Sequence, residues 1–332
     1  MENQPFRQPR IVSNKILFVF LLMISLLLTY YKIIDFEPWA QVVDLYSYHA
    51  PLYLLADHPH LYRYIITYPG LYLSEFYGEQ MFSMYVSLFF AISALFFTIT
   101  IAGARQAFVV AGVIAMAIVH AFMNGRGAIS WCGWLIAIYV ITRPTEGKGS
   151  PFFIVLVSFA LLASSVSSGT FAVTFSALAI EAARRIFFYR SVAYSLYLAP
   201  SLYLFYGYFA LSFEKNLDYY RIGKSNPVIN MLSHGLGGLI AGSSALLLVV
   251  LLIGILSPFL IHALSRRLTT AELIILLVPI AGGMFGYTTL TLAIPSIIII
   301  ASRGLSADSR PWSRSERSNS LSRNATAAHF RS

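Results

Sequence analysis

The sequence predicts an all-α polytopic integral membrane protein, a bundle of about ten transmembrane helices with a long extracytoplasmic first loop. Three observations carry this. Of 332 residues, 58% are hydrophobic and 11% charged, less than half the roughly 25% charge of a soluble domain. Mean hydropathy is +0.70. The apolar residues come in long runs, and the Lys and Arg residues gather in the short segments between them.

The net charge of +9 does not indicate a nucleic-acid partner, because the cations follow the positive-inside pattern. The single cysteine, Cys132, excludes an internal disulfide and reads as a small core residue. A cytoplasmic segment is expected at 1–15, one transmembrane domain at 16–302, and a disordered, basic cytoplasmic tail at 303–332.

The first helix, about 16–34, follows Arg7, Arg10 and Lys15 and carries no small-residue cleavage site, so it is expected to be retained. Residues 35–80 then form the outside loop. Helix 2 (about 81–103) returns to Arg105, and helix 3 (about 106–123) leads out to the turn Asn124-Gly125-Arg126-Gly127. Helix 4 (about 128–142) comes back to Arg143 and Lys148. Runs 151–163 and 171–183 flank a serine-rich turn. Basic residues lie on both sides of the pair, Arg143 and Lys148 before it and Arg184, Arg185 and Arg190 after it. Two helices joined outside keep both clusters inside, whereas one span would not. Glu181 beside Arg184 and Arg185 is expected to form an interfacial ion pair. Helix 7 (about 191–212) leads to a second outside loop, 213–237, and helix 8 (about 238–263) returns. The run 272–302, broken by Pro279, Gly282, Gly283, Gly286 and Pro295, is read as a hairpin. Both termini are then cytoplasmic.

The candidate chemistry lies in the outside segments. Loop 35–80 holds the acids Asp35, Glu37, Asp44, Asp57, Glu75 and Glu79 and eight tyrosines. Asp44, just past the membrane exit with His49 nearby in sequence, is the best general-base candidate. The tyrosines suit an interface belt or a sugar ring, whose faces are apolar and whose rim is hydroxyl. Asp57-His58-Pro59-His60 resembles metal ligands, but its spacing matches no zinc or calcium signature, so no metal is expected. Arg126 sits between glycines at a hairpin end. It reads either as a snorkelling interfacial anchor or as a phosphate ligand, whose oxygens the guanidinium fork matches. In the second loop Lys215, Arg221 and Lys224 run against the positive-inside bias, which suggests an anionic ligand.

The layout resembles that of the bacterial polysaccharide polymerases of the Wzy/EpsG type, which extend O-antigen or exopolysaccharide chains. The shared features are the helix number, the early outside loop with an Asp and many aromatics, and an arginine ending a middle hairpin (Arg126, in NGRGAISWCGWLIAIYVI). The later Asp218-Tyr219-Tyr220-Arg221 element is similar too. The resemblance covers about residues 15–302. The turn Ser167-Ser168-Gly169-Thr170 departs from it, where a His-x-Ser-like element would be expected.

The resemblance implies glycan transfer from an undecaprenyl-diphosphate carrier to an acceptor glycan at the outer face of the bacterial inner membrane. Arg126, with Asn124, and Tyr220, Arg221 and Lys224 would bind substrate. Asp44 and His49 would be catalytic, with no metal and no cofactor. The implied partners are the lipid-linked oligosaccharide, membrane lipids, and a polysaccharide flippase or chain-length regulator. Two other readings stand beside it. One is a polyprenyl-phosphate-dependent membrane glycosyltransferase. The other is a multi-pass transporter of an anionic or sugar-containing substrate, in which the 164–170 and 279–286 breaks would be midplane sites.

Overall fold

A computed structural model describes residues 14–32, 35–48, 58, 60–101, 125–143, 152–189, 192–221, 268–282 and 291–308, with scattered positions in 109–117, 257–265 and at 289. Every regular element among the described residues is an α-helix. In chain order they are α1 (Asn14–Tyr30), α2 (Ala40–Ser47), α3 (Leu61–Tyr77), α4 (Gln80–Thr100) and α5 (Gly125–Thr142). Then follow α6 (Phe152–Ser164), α7 (Ser168–Tyr189), α8 (Val192–Arg221), α9 (Thr270–Gly282) and α10 (Ala293–Asp308).

The hub is α5. Its residues Ile129, Cys132 and Trp134 to Ile138 are all fully buried. A helix apolar on every side is stable only when surrounded, and α5 packs against α4, α6, α7 and α9. Gly133 sets how close α6 comes. A Cβ there would lie 2.4 Å from the Ala160 carbonyl oxygen and 2.7 Å from the Ser164 backbone nitrogen. The Trp134 indole donates to the Leu292 carbonyl at 2.9 Å, tying α10 to the same helix.

By length and composition α4 and α5 can cross a membrane. Helix α6, helix α9 and the Ala293–Arg303 part of α10 are shorter apolar helices.

The sequence-predicted boundaries shift in four places. The stretch 35–80 is helical over α2 and α3. On α3 the residues Arg63, Ile66, Thr67, Gly70 and Leu71 form one buried stripe at helical spacing. Arg126 lies in the first turn of α5 rather than before the helix. Helix α8 runs on through 213–221, where a loop was expected, because EKNLDYYR contains no Gly or Pro to stop it. Helix α10 likewise continues to Asp308, past the predicted start of the tail. The two predicted hairpins are both present as helix pairs, α6–α7 through Ser165–Ser167 and α9–α10. Predicted helix 8 and most of predicted helix 3 lie outside the described residues.

One end of the bundle is closed by a buried ion cluster. Fully buried Glu181 accepts from Arg184 at 2.7 Å and from the Arg185 Nε. Arg185 also donates to the carbonyls of Ile141 and Arg143, each at 3.3 Å. It thereby satisfies backbone acceptors that the end of α5 leaves open. Arg143 lies over the rings of Tyr139 and Phe153 at 5.6 and 5.4 Å. From Arg126 to Arg143 a helix rises about 25 Å, so the opposite end is the one that carries Arg126.

Candidate functional site

At that opposite end, three segments far apart in sequence meet around two arginines. The segment Asp35–Trp39 is anchored on α4. The Phe36 amide donates to Ser83 Oγ at 2.8 Å, and Ser83 Oγ donates to Asp35 Oδ1 at 2.7 Å. Trp39 precedes α2 with an extended backbone, and its carbonyl accepts from the Val42 and Val43 amides, starting the helix. Its indole packs edge-on against Phe82, centroids 6.0 Å apart, and is only 8% exposed.

Arg126 projects from the first turn of α5 over this indole, with Cζ 5.2 Å from the ring centroid. The ring quadrupole attracts the cation there. Two buried donors of this pair, Arg126 Nε and Trp39 Nε1, have no acceptor among the described residues. Each unmade hydrogen bond costs about 1–3 kcal/mol, so the pair is poised for an incoming acceptor.

Arg63 enters from the first turn of α3 and is 8% exposed. Nη1 donates to Gln41 Oε1 and Nη2 to Ser168 Oγ, each at 2.9 Å, and Nε to the Ser165 carbonyl at 3.4 Å. The α6–α7 turn thus supplies two of its three partners. Tyr208 of α8 donates to the same Ser165 carbonyl at 3.4 Å. Burial pulls the Arg63 guanidinium below its ordinary pKa, though an arginine keeps its charge at neutral pH. Arg63 and Arg126 lie within reach of each other's charge. Neither touches a carboxylate among the described residues. Two neighbouring cations without counter-ions, at a helix start whose dipole adds positive potential, form a site that favours an anion.

A cavity of about 380 Å³ lies beside Trp39 and the start of α5, lined by Asp35, Phe36, Glu37, Pro38, Trp39 and Gly125. Helices α2 and α3 are clasped alongside by a hydrogen bond from Tyr46 to Glu75, which keeps the Tyr46 phenol protonated well above its usual range. Tyr64, Tyr68, Tyr72 and Phe76 stack along α3 with centroids 5.6, 6.3 and 4.6 Å apart. The last three of these residues are exposed.

Of the sequence-predicted site residues, Arg126 lies at the centre of this arrangement. Asp44 is exposed on α2, three residues after Gln41 and hence on the same helix face. His49, Asn124 and Lys224 lie outside the described residues. Tyr220 and Arg221 are the last two residues of α8, described in backbone only. They lie about 20 Å of helix rise beyond Tyr208. His58 and His60 stack 5.5 Å apart, and no group of three metal-ligating side chains occurs among the described residues.

Sequence reasoning missed Arg63, Trp39, Gln41 and the seryl turn as one unit. The available signal was Arg63 itself, the only Lys or Arg between Lys32 and Arg105. Comparison with protein families, curated proteins and solved structures finds no match to this chain.

Proposed function

We propose that the chain is a polysaccharide polymerase of the bacterial inner membrane. It would transfer glycan units from a polyprenyl-diphosphate carrier to an acceptor glycan at the extracytoplasmic face. The carrying observation is the Arg63–Arg126 pair: Arg63 is buried and Arg126 half-buried, they lie within reach of each other's charge, and neither is ion-paired to a carboxylate among the described residues. A diphosphate leaving group supplies the missing negative charge and acceptors for the unmade N–H bonds. As the sugar–phosphate bond breaks, charge builds on the phosphate oxygens, and fixed cations stabilise that charge more than the ground state.

The topology has separate support. The segments expected outside (35–80, the start of α5 and the 165–168 turn) meet at one end of the bundle. The residues expected inside (Arg143, Arg184 and Arg185) meet at the other. The rise of about 25 Å between the ends approaches the roughly 30 Å of a hydrocarbon core. In this reading both termini are cytoplasmic. Arg221, at the end of α8, and Lys224, three residues later in sequence, draw the anionic carrier inward by long-range attraction. A carboxylate of the 35–44 segment takes the acceptor's proton, with Asp44 one candidate.

The test is surface polysaccharide in cells whose only copy carries Arg126→Ala, with the membrane level of the protein measured in parallel. The expected result is loss of long chains while single repeat units still appear. Unchanged polymer at normal protein level would reject this reading in favour of a transporter.

A further inference from the structure

The cavity beside the arginine pair raises a question that the position of Asp44 does not answer: which group receives the acceptor's proton. Two carboxylates line the cavity. Asp35 is already engaged by Ser83 Oγ at 2.7 Å, so one of its oxygens is occupied. Glu37 has no hydrogen-bond or ion-pair partner among the described residues. It is exposed, and it stands two residues from Trp39, which also lines the cavity and is 8% exposed. Gly125, the residue before Arg126, lines it too. One space is therefore bounded by a free carboxylate, Trp39 and the start of the helix that carries the Arg126 cation. Its 380 Å³ falls within the 300–1,000 Å³ typical of small-ligand pockets and exceeds the room one sugar ring needs. A saccharide offers what these walls lack, hydroxyls that both donate and accept, and an apolar ring face for Trp39 and Phe36.

We infer that this cavity is the acceptor-saccharide subsite and that Glu37 is the catalytic base. The inference rests on the polymerase reading above. In the step, the acceptor hydroxyl oxygen attacks the anomeric carbon of the donor and a C–O glycosidic bond forms. The bond from that carbon to the diphosphate oxygen breaks, and its electron pair leaves with the diphosphate, which Arg126 and Arg63 hold. The hydroxyl proton passes to the Glu37 carboxylate. Asp35, fixed by Ser83, orients a second hydroxyl. Asp44, on α2, is not among the residues that line the cavity.

Membrane vesicles from cells expressing full-length variants contain the native lipid-linked units, so polymer formation is measured in them as rate against pH. Three variants are compared at matched protein level: Glu37→Gln, Glu37→Ala and Arg126→Ala. Glu37→Gln is expected to lower the rate at least 100-fold, in line with the usual contribution of a general base, and to remove the acid limb of the profile. Sodium formate should restore part of the rate to Glu37→Ala, because a small carboxylate can enter the vacated space. If Arg126→Ala abolishes polymer while Glu37→Gln keeps it, or if formate restores nothing, the base assignment falls and the polymerase reading stands. If Arg126→Ala leaves polymer intact, the polymerase reading falls and this inference falls with it.

Discussion

Arg63 and Arg126 have the same side chain and different roles. Arg63 donates to Gln41, Ser165 and Ser168, which fix its position and use three of its five N–H groups. Arg126 is held on one side by the Trp39 ring and keeps a donor open. Removing Arg63 takes its donors from Gln41 Oε1 and Ser168 Oγ and frees the α3 and α6–α7 junction. Arg63→Ala should cost about 2–4 kcal/mol, from two or three charge-assisted hydrogen bonds. The check is a lower thermal midpoint in detergent. Arg126→Ala should leave that midpoint within a degree or two, because it satisfies rather than breaks the unmade bond. Arg126 was legible in the sequence because charge is rare between apolar runs. Arg63 was hidden, since it sits among tyrosines in a stretch already rich in polar groups. Its partners are 22 to 105 residues away, and nothing in local spacing reports such pairing.

At the scale of elements, the predicted helices fall close to the observed ones wherever apolar runs end in Pro, Gly or a basic cluster. The misses share one cause. Helices α2 and α3 and the ends of α8 and α10 are polar or aromatic, so hydrophobicity alone assigned them to loops. The buried stripe of α3 includes Arg63 and Thr67, which breaks the apolar period while keeping the helical one. At the contact of α5 on α6, a methyl group on Gly133 would meet the Ser164 hydroxyl and also the Ala160 carbonyl oxygen and the Ser164 backbone nitrogen, which cannot swing aside. Close approach at small residues is a common means of packing helices in membranes. Gly133→Ala should therefore cost about 1–3 kcal/mol by overpacking, read as a lower midpoint and lower membrane yield. Ser130→Ala, one turn earlier, should be nearly silent, since that hydroxyl only bonds back to the Arg126 carbonyl.

For the whole molecule, the two-ended charge arrangement makes the topology testable. In a Cys132→Ala background, Ser47→Cys should react with a membrane-impermeant maleimide in intact spheroplasts. Thr270→Cys, at the start of α9, should react only after permeabilisation. Wild-type protein should stay unlabelled in both cases because its single thiol is fully buried. Labelling of both introduced cysteines from outside would contradict the arrangement.

The Arg185 cap on α5 also bears on biogenesis. The carbonyls at the end of α5 receive their hydrogen bonds from a residue 42 to 45 positions later in the chain. At about 5–20 residues synthesised per second, α5 waits a few seconds with those acceptors open. Over that interval α5 is a complete apolar helix with an incomplete end, and α6 and most of α7 must pass before Glu181 and Arg185 arrive together. The cluster is thus the latch that closes the first half of the bundle. A chain stalled or truncated between residues 143 and 185 would leave the end of α5 without the Arg185 hydrogen bonds.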